Sequence, residues 1–180
     1  MIIHLNYTAK DGGNSLRQAA ATNVSTAINA MLVSQKDKGL MRIFSVRHEF
    51  PTAWYQFLNP VNPTDQQVLK LPVTTDRFPF FAQFANIKVL SIDLVADTPN
   101  PVNNIELDIA AAVTGILNLT SDNIYGSLMH GTISSVNKTV SIPNSPWTVK
   151  YPQAGSLPNN LPLTENTIND LYLLVHYQLT

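Results

Sequence analysis

Asn104-Ile105-Glu106-Leu107-Asp108-Ile109-Ala110-Ala111-Ala112-Val113 is the stretch that decides the fold class. Ile105, Leu107, Ile109, Ala111 and Val113 alternate with polar or small neighbours, Glu106 and Asp108 among them. Residues two apart share one face of an extended chain, whereas a helix would scatter them around its axis. The segment therefore reads as a half-buried strand, and the same period recurs on both sides of it. Lys88 to Ala96 turns Leu90, Ile92, Leu94 and Ala96 inward, and Asp170 to Leu179 aligns Leu171, Leu173, Val175, Tyr177 and Leu179. Gln67 to Val73 and Thr132 to Ile142 read as further strands, and Trp147-Thr148-Val149 as a short one within the loop-rich stretch Pro143 to Pro162. At the N-terminus Ile2 to Ala9 alternates through Ile3, Leu5 and Tyr7.

Met41 to Phe50 also reads as a strand, ended by Pro51. That places Phe44, Val46, His48 and Phe50 on one face and Arg47 and Glu49 on the other. Thr52 to Leu58 follows as a short helical turn rich in aromatic residues, and Asn59-Pro60-Val61-Asn62-Pro63 as a loop. One segment has a different period. From Leu16 to about Gln35, Leu16, Ala19, Ala20, Val24, Ala27, Ile28, Met31 and Leu32 recur at helical spacing without a Gly or Pro between them. Asp11-Gly12-Gly13 supplies the preceding turn, Asn14 or Ser15 a cap, and Gly39 a stop. The expected architecture is mostly β (α+β): a single antiparallel β-sandwich-like domain over residues 1–180 with one long N-terminal helix.

Composition narrows the function. The chain has 180 residues, 44% hydrophobic, with 11 basic and 12 acidic side chains and a net charge of -1, so no basic nucleic-acid footprint is expected. No apolar run reaches the roughly 18 residues of a membrane span, and Met1-Ile2-Ile3-His4-Leu5 lacks the pattern of a secretory signal. Cysteine is absent, which excludes disulfides, zinc–thiolate sites and a catalytic thiol. Charged residues make up only 13%, about half the usual share, as in β-rich modules that live in assemblies or outside cells.

Few constellations promise chemistry. On a strand, Arg47 and Glu49 lie about 7 Å apart on one face, as a carboxylate clamp or a structural ion pair, while His48 and Glu49 point apart. None of the histidines (His4, His48, His130, His176) has the i, i+4 spacing of a zinc-protease motif. If the terminal strands pair, His4 and His176 approach one another; otherwise they are core or edge histidines. Asp11-Gly12-Gly13-Asn14-Ser15 lacks the lysine and glycine spacing of a phosphate loop. Asp93, Asp97, Glu106 and Asp108 read as solvent-face residues, and a glycosidase pair among them has no supporting motif. No catalytic residue, cofactor or metal site is expected. Aromatic residues are more informative: Phe50, Trp54, Tyr55 and Phe57 form one cluster and Phe78, Phe80, Phe81 and Phe84 another. They either seal a packed corner or anchor an interface. Trp54, Tyr55, Phe80, Phe81 and Trp147 are the candidate partner-binding residues, and sugar stacking on Trp54 or Trp147 is the alternative, provided their ring faces are exposed.

Tyr7-Thr8-Ala9-Lys10-Asp11-Gly12-Gly13, Leu16-Arg17 and Phe44-Ser45-Val46-Arg47-His48-Glu49-Phe50-Pro51 with Trp54 and Phe57-Leu58 occur in a suggestive order. Asp76-Arg77-Phe78-Pro79-Phe80-Phe81 and the closing Leu171-Tyr172-Leu173 continue it. Together they resemble the C-terminal end of the A subunits of Tc (toxin complex) insecticidal toxins over nearly the whole chain. The resemblance implies a TcB-binding domain, which joins a pentameric A subunit to the cocoon of the B and C subunits. It implies a docking module in place of an enzyme, a TcB-like protein partner, pentamers in the full-length context, and a secreted or cell-surface bacterial toxin complex with no direct membrane insertion. The family's shell, receptor-binding domains and channel have no counterpart in these 180 residues.

Overall fold

The computed structural model describes residues 13–35, 39–99, 102–109, 113–121, 125–126, 128–134, 136, 138–139, 146–152 and 162–180. The chain divides into two compact units, Met1–Asp37 and Lys38–Thr180. In the first, helix α1 runs Gly13–Gln35, starting three residues earlier than its apolar period suggests. Gly13 opens it at a φ of 73°, a left-handed conformation that glycine adopts without penalty. Arg17 is its one charged residue, and every side chain from Asn14 to Ala27 is exposed. The expected strand Ile2–Ala9, with His4, lies outside the described residues. No helix among the described residues is long and apolar enough to cross a membrane.

The second unit is an antiparallel sheet with short helical turns. Its elements are β1 (Leu40–Ser45), α2 (Val46–Glu49), α3 (Pro51–Leu58), β2 (Gln67–Leu71), two 3-10 turns (Thr75–Arg77 and Phe80–Phe84), β3 (Ile87–Asp97), β4 (Val102–Ile109), β5 (Val113–Ser121), β6 (Met129–Ile133), β7 (Lys138–Thr139), β8 (Trp147–Tyr151) and β9 (Asp170–Leu179). The strand order is β1-β9-β3-β6-β5-β4-β8-β2, with β7 beside β3. Strand β5 joins the two halves: Val113 to Leu119 pair with β4, and Thr120 and Ser121 pair with β6. A strand that changes partner along its length lets a sheet curl onto itself. Ile92, Leu94, Val175 and Tyr177 from one half accordingly share a single core with Leu69, Leu107, Trp147 and Val149 from the other. The mostly-β, sandwich-like architecture with one long N-terminal helix is the one its strand periods indicate.

Several boundaries differ from the expected ones. The strand expected over Met41–Phe50 ends at Ser45, and Val46–Glu49 is a helical turn. Ser45 caps that turn, its hydroxyl accepting from the His48 amide at 3.3 Å, while the Glu49 carboxylate accepts from the Ser45 amide at 3.3 Å. Two side chains thus satisfy helix-start donors that a strand would have spent on its ladder. Arg47 and Glu49 are consequently not strand neighbours. Val113 does not continue β4: Ile109 pairs with Val113, so the chain reverses between them. The Thr132–Ile142 strand is two pieces, β6 and β7. In β3 the residues facing the core are Ile87 and Val89, then Ile92, Leu94 and Ala96. A bulge between Val89 and Ser91 shifts the register there, which leaves Leu90 half-buried and out of phase.

Candidate docking surface and the Asp93 cluster

The aromatic residues separate into a packed corner and a solvent-facing fringe. Phe44 stands 6.0 Å from Phe50 and 5.8 Å edge-on from Phe78, whose ring meets Tyr177 at 5.0 Å. Two guanidinium groups close the outside, Arg77 4.4 Å above the Phe50 ring and Arg42 4.5 Å above Phe44. Trp54 packs against Phe57 at 6.0 Å and is buried. Trp147 is 1% exposed, because β8 alternates Trp147, Val149 and Tyr151 into the core. These two expected binding residues therefore present no open ring face. Phe81 is half-buried against the core and meets Phe80 edge-on at 6.0 Å. Tyr55 and Phe80 are each 63% exposed. Of the five candidates, the structure leaves Tyr55 and Phe80 as solvent-facing aromatics and Phe81 as the partly buried one between fringe and core.

Arg47 and Glu49 take separate partners. Glu49 binds the Arg42 guanidinium at 2.7 Å, and Arg42 also donates to the carbonyls of Ile43 and Arg77. Arg47 donates to Asn169 O at 3.0 Å, and its amide donates to Asp170 Oδ1 at 3.0 Å. The Asp170 carboxylate also accepts from the Ser45 hydroxyl. The whole Ser45–Glu49 turn is thus tied down at the start of β9 and the outer side of β1. Glu49 is spent on Arg42, and Arg47 turns to Asn169 O, so the two do not form the ion pair or clamp expected of strand neighbours.

A cluster that the sequence does not announce lies on the other face of β3. Asp93, expected on the solvent side, is 7% exposed. Strand β3 is central there, flanked by β6 and β9, and Val95 and Leu174 on the same face are buried too. Asp93 sits opposite Thr132 on β6 and Leu174 on β9, so His130 and His176, each two residues from a partner, flank it diagonally. His176 Nε2 lies 2.8 Å from Asp93 Oδ2, His130 Nε2 lies 3.4 Å from Oδ1, and the Thr132 hydroxyl donates to Oδ1 at 2.5 Å. The Tyr125 ring covers His130 at 4.5 Å.

Two features bear on what this cluster does. In a nucleophile relay the carboxylate holds one imidazole nitrogen while the other takes the hydroxyl proton. Here His130 Nε2 faces both Asp93 and, at 3.0 Å, Thr132, so the same nitrogen would have to serve both roles. The imidazoles also address different carboxylate oxygens, and no group of three His, Asp or Glu side chains among the described residues is placed to hold a metal ion. The geometry is that of a polar stitch across three strands. On the other half of the sheet, Lys150 pairs with Glu106 at 2.8 Å, and this hydrogen bond holds the lysine's proton more tightly than usual.

No family model, no curated protein and no solved structure matches the chain.

Proposed function

We propose that the chain is a protein-docking module of a Tc-like toxin assembly, joining an A subunit to its TcB–TcC cocoon. The observation that carries this reading is the exposure of Tyr55 and Phe80, which lie within two of the segments that bear the likeness. Large rings held open to water, next to a sealed aromatic corner, are what an interface anchor requires. The carbohydrate-binding alternative loses its platform, since Trp54 and Trp147 are both buried. The test is binding of the chain to a purified TcB–TcC cocoon, with the chain immobilised densely so that weak single contacts add. Tyr55→Ala with Phe80→Ala should weaken binding at least about tenfold, because a buried aromatic anchor is worth about 2 kcal/mol or more. Unchanged binding by the double variant would refute the aromatic anchor. Selective binding of the wild-type chain on a glycan array would favour the sugar reading instead.

A further inference from the structure

Strand β2 ends the sheet, paired with β8 on one side and with no strand on the other among the described residues. Gln67, Leu69 and Leu71 point into the core, which turns Val68 and Lys70 outward. Between them and α3 runs a groove of about 390 Å³. Ala53 and Val68 give it apolar walls, and Gln56, Asp65, Gln66 and Lys70 line it with polar ones. Asp65 is partly engaged, its Oδ2 accepting from the side-chain Nδ2 of Asn62 at 2.9 Å. The side chains of Gln56, Gln66 and Lys70 are exposed and carry no hydrogen bond or ion pair among the described residues.

We propose that this groove holds an extended, carboxylate-bearing peptide segment of the docking partner. The inference rests on the reading of the chain as a docking module and names what that module grips. A primary amide offers one acceptor and two donors, which suits the alternating donors and acceptors of a peptide main chain. The last strand of a sheet is where an extended peptide aligns. Lys70 supplies a cation whose complement is a carboxylate of the peptide. No aromatic ring lines the groove, so a sugar would lack a stacking surface.

The probe is a phage-displayed library of random linear dodecapeptides selected on the full chain. Enriched peptides are then synthesised and titrated calorimetrically against wild type, Lys70→Glu and Gln56→Ala. We expect an acidic consensus, at least about tenfold weaker binding to Lys70→Glu, and a smaller loss for Gln56→Ala. Both substituted side chains are exposed, so the thermal midpoints should stay unchanged. Failure to enrich any sequence would overturn the proposal, as would peptides that bind Lys70→Glu as tightly as wild type. Glycan binding abolished by the same substitutions would overturn it in favour of a sugar site. The cocoon assay separates the two readings. If the cocoon binds wild type and Lys70→Glu equally, docking stands and the groove proposal falls; if acidic peptides bind and the cocoon does not, the groove stands and the Tc partner falls.

Discussion

The carboxamide of Gln67 donates to Phe57 O at 2.9 Å and Leu163 O at 2.8 Å, and accepts from the Leu163 amide at 2.8 Å. It is buried, so no water is at hand to replace it. One side chain thus joins the end of α3, the start of β2 and the segment leading to β9. Gln67→Ala should lower stability by about 3 kcal/mol in urea denaturation, since it strands three buried main-chain groups. A change below about 1 kcal/mol would show that the segments hold together without it. Thr148 is the opposite case. Its hydroxyl and Asp108 Oδ1 are buried without hydrogen-bond partners among the described residues, directly across β8 and β4 from each other. Thr148→Val keeps the shape and removes the orphaned hydroxyl, so stability should stay level or rise by about 1 kcal/mol. A marked loss would reveal a hydrogen bond carried through bound water.

Among the elements, the crossing of β5 and β6 is the most exacting. Gly131 on β6 lies so close to β5 that a Cβ would stand 2.8 Å from Leu119 Cδ2 and 3.2 Å from the Asn118 carbonyl oxygen. A Cβ on Gly115 would run into the Ile133 side chain. The leucine methyl has room to turn away but the Asn118 main chain has little, so Gly131→Ala should cost about 1–3 kcal/mol through overpacking. An unchanged melting temperature would mean that the corner has slack. Legibility varies in the same terms. Strand β9 could be read end to end because its apolar residues keep a clean period of two, and those facing the core run Leu171, Leu173, Val175 and Tyr177. Strand β5 went unread: glycine at 115 and an exposed Ile116 blur its alternation. The turn at Val46 had a usable signal, Ser45 followed by Glu49 and then Pro51 at the first position of α3. The Asp93 cluster had none, since its members come from β3, β6 and β9 and meet only through the register. The exposure of Tyr55 beside a buried Trp54 likewise depends on which way α3 rolls, a tertiary outcome that aromatic density alone does not encode.

At the scale of the whole Lys38–Thr180 unit, one core spans both halves of the sheet, so the halves should unfold together. Two buried tyrosines report on this from opposite sides, Tyr151 on β8 and Tyr177 on β9. Burial pushes both phenols above their ordinary titration, in Tyr177 against a smaller opposing pull from Arg42. The folded protein therefore holds these protons more tightly than the unfolded chain does. Their contribution to stability is full below about pH 10, where an unfolded tyrosine titrates, and is lost as pH rises through the raised folded values. Lys150, whose proton is held by Glu106, and Tyr172, raised by burial and by nearby carboxylates, act in the same direction. Urea midpoints should accordingly hold up to about pH 10 and fall above it, with far-ultraviolet and near-ultraviolet signals moving together. Tyr151→Phe and Tyr177→Phe each remove one phenol while keeping the ring, so each should flatten the fall, and the double variant should flatten it further. If the two signals separate, the halves are independent; if the double variant keeps the wild-type slope, the alkaline loss belongs to Lys150 and Tyr172 alone.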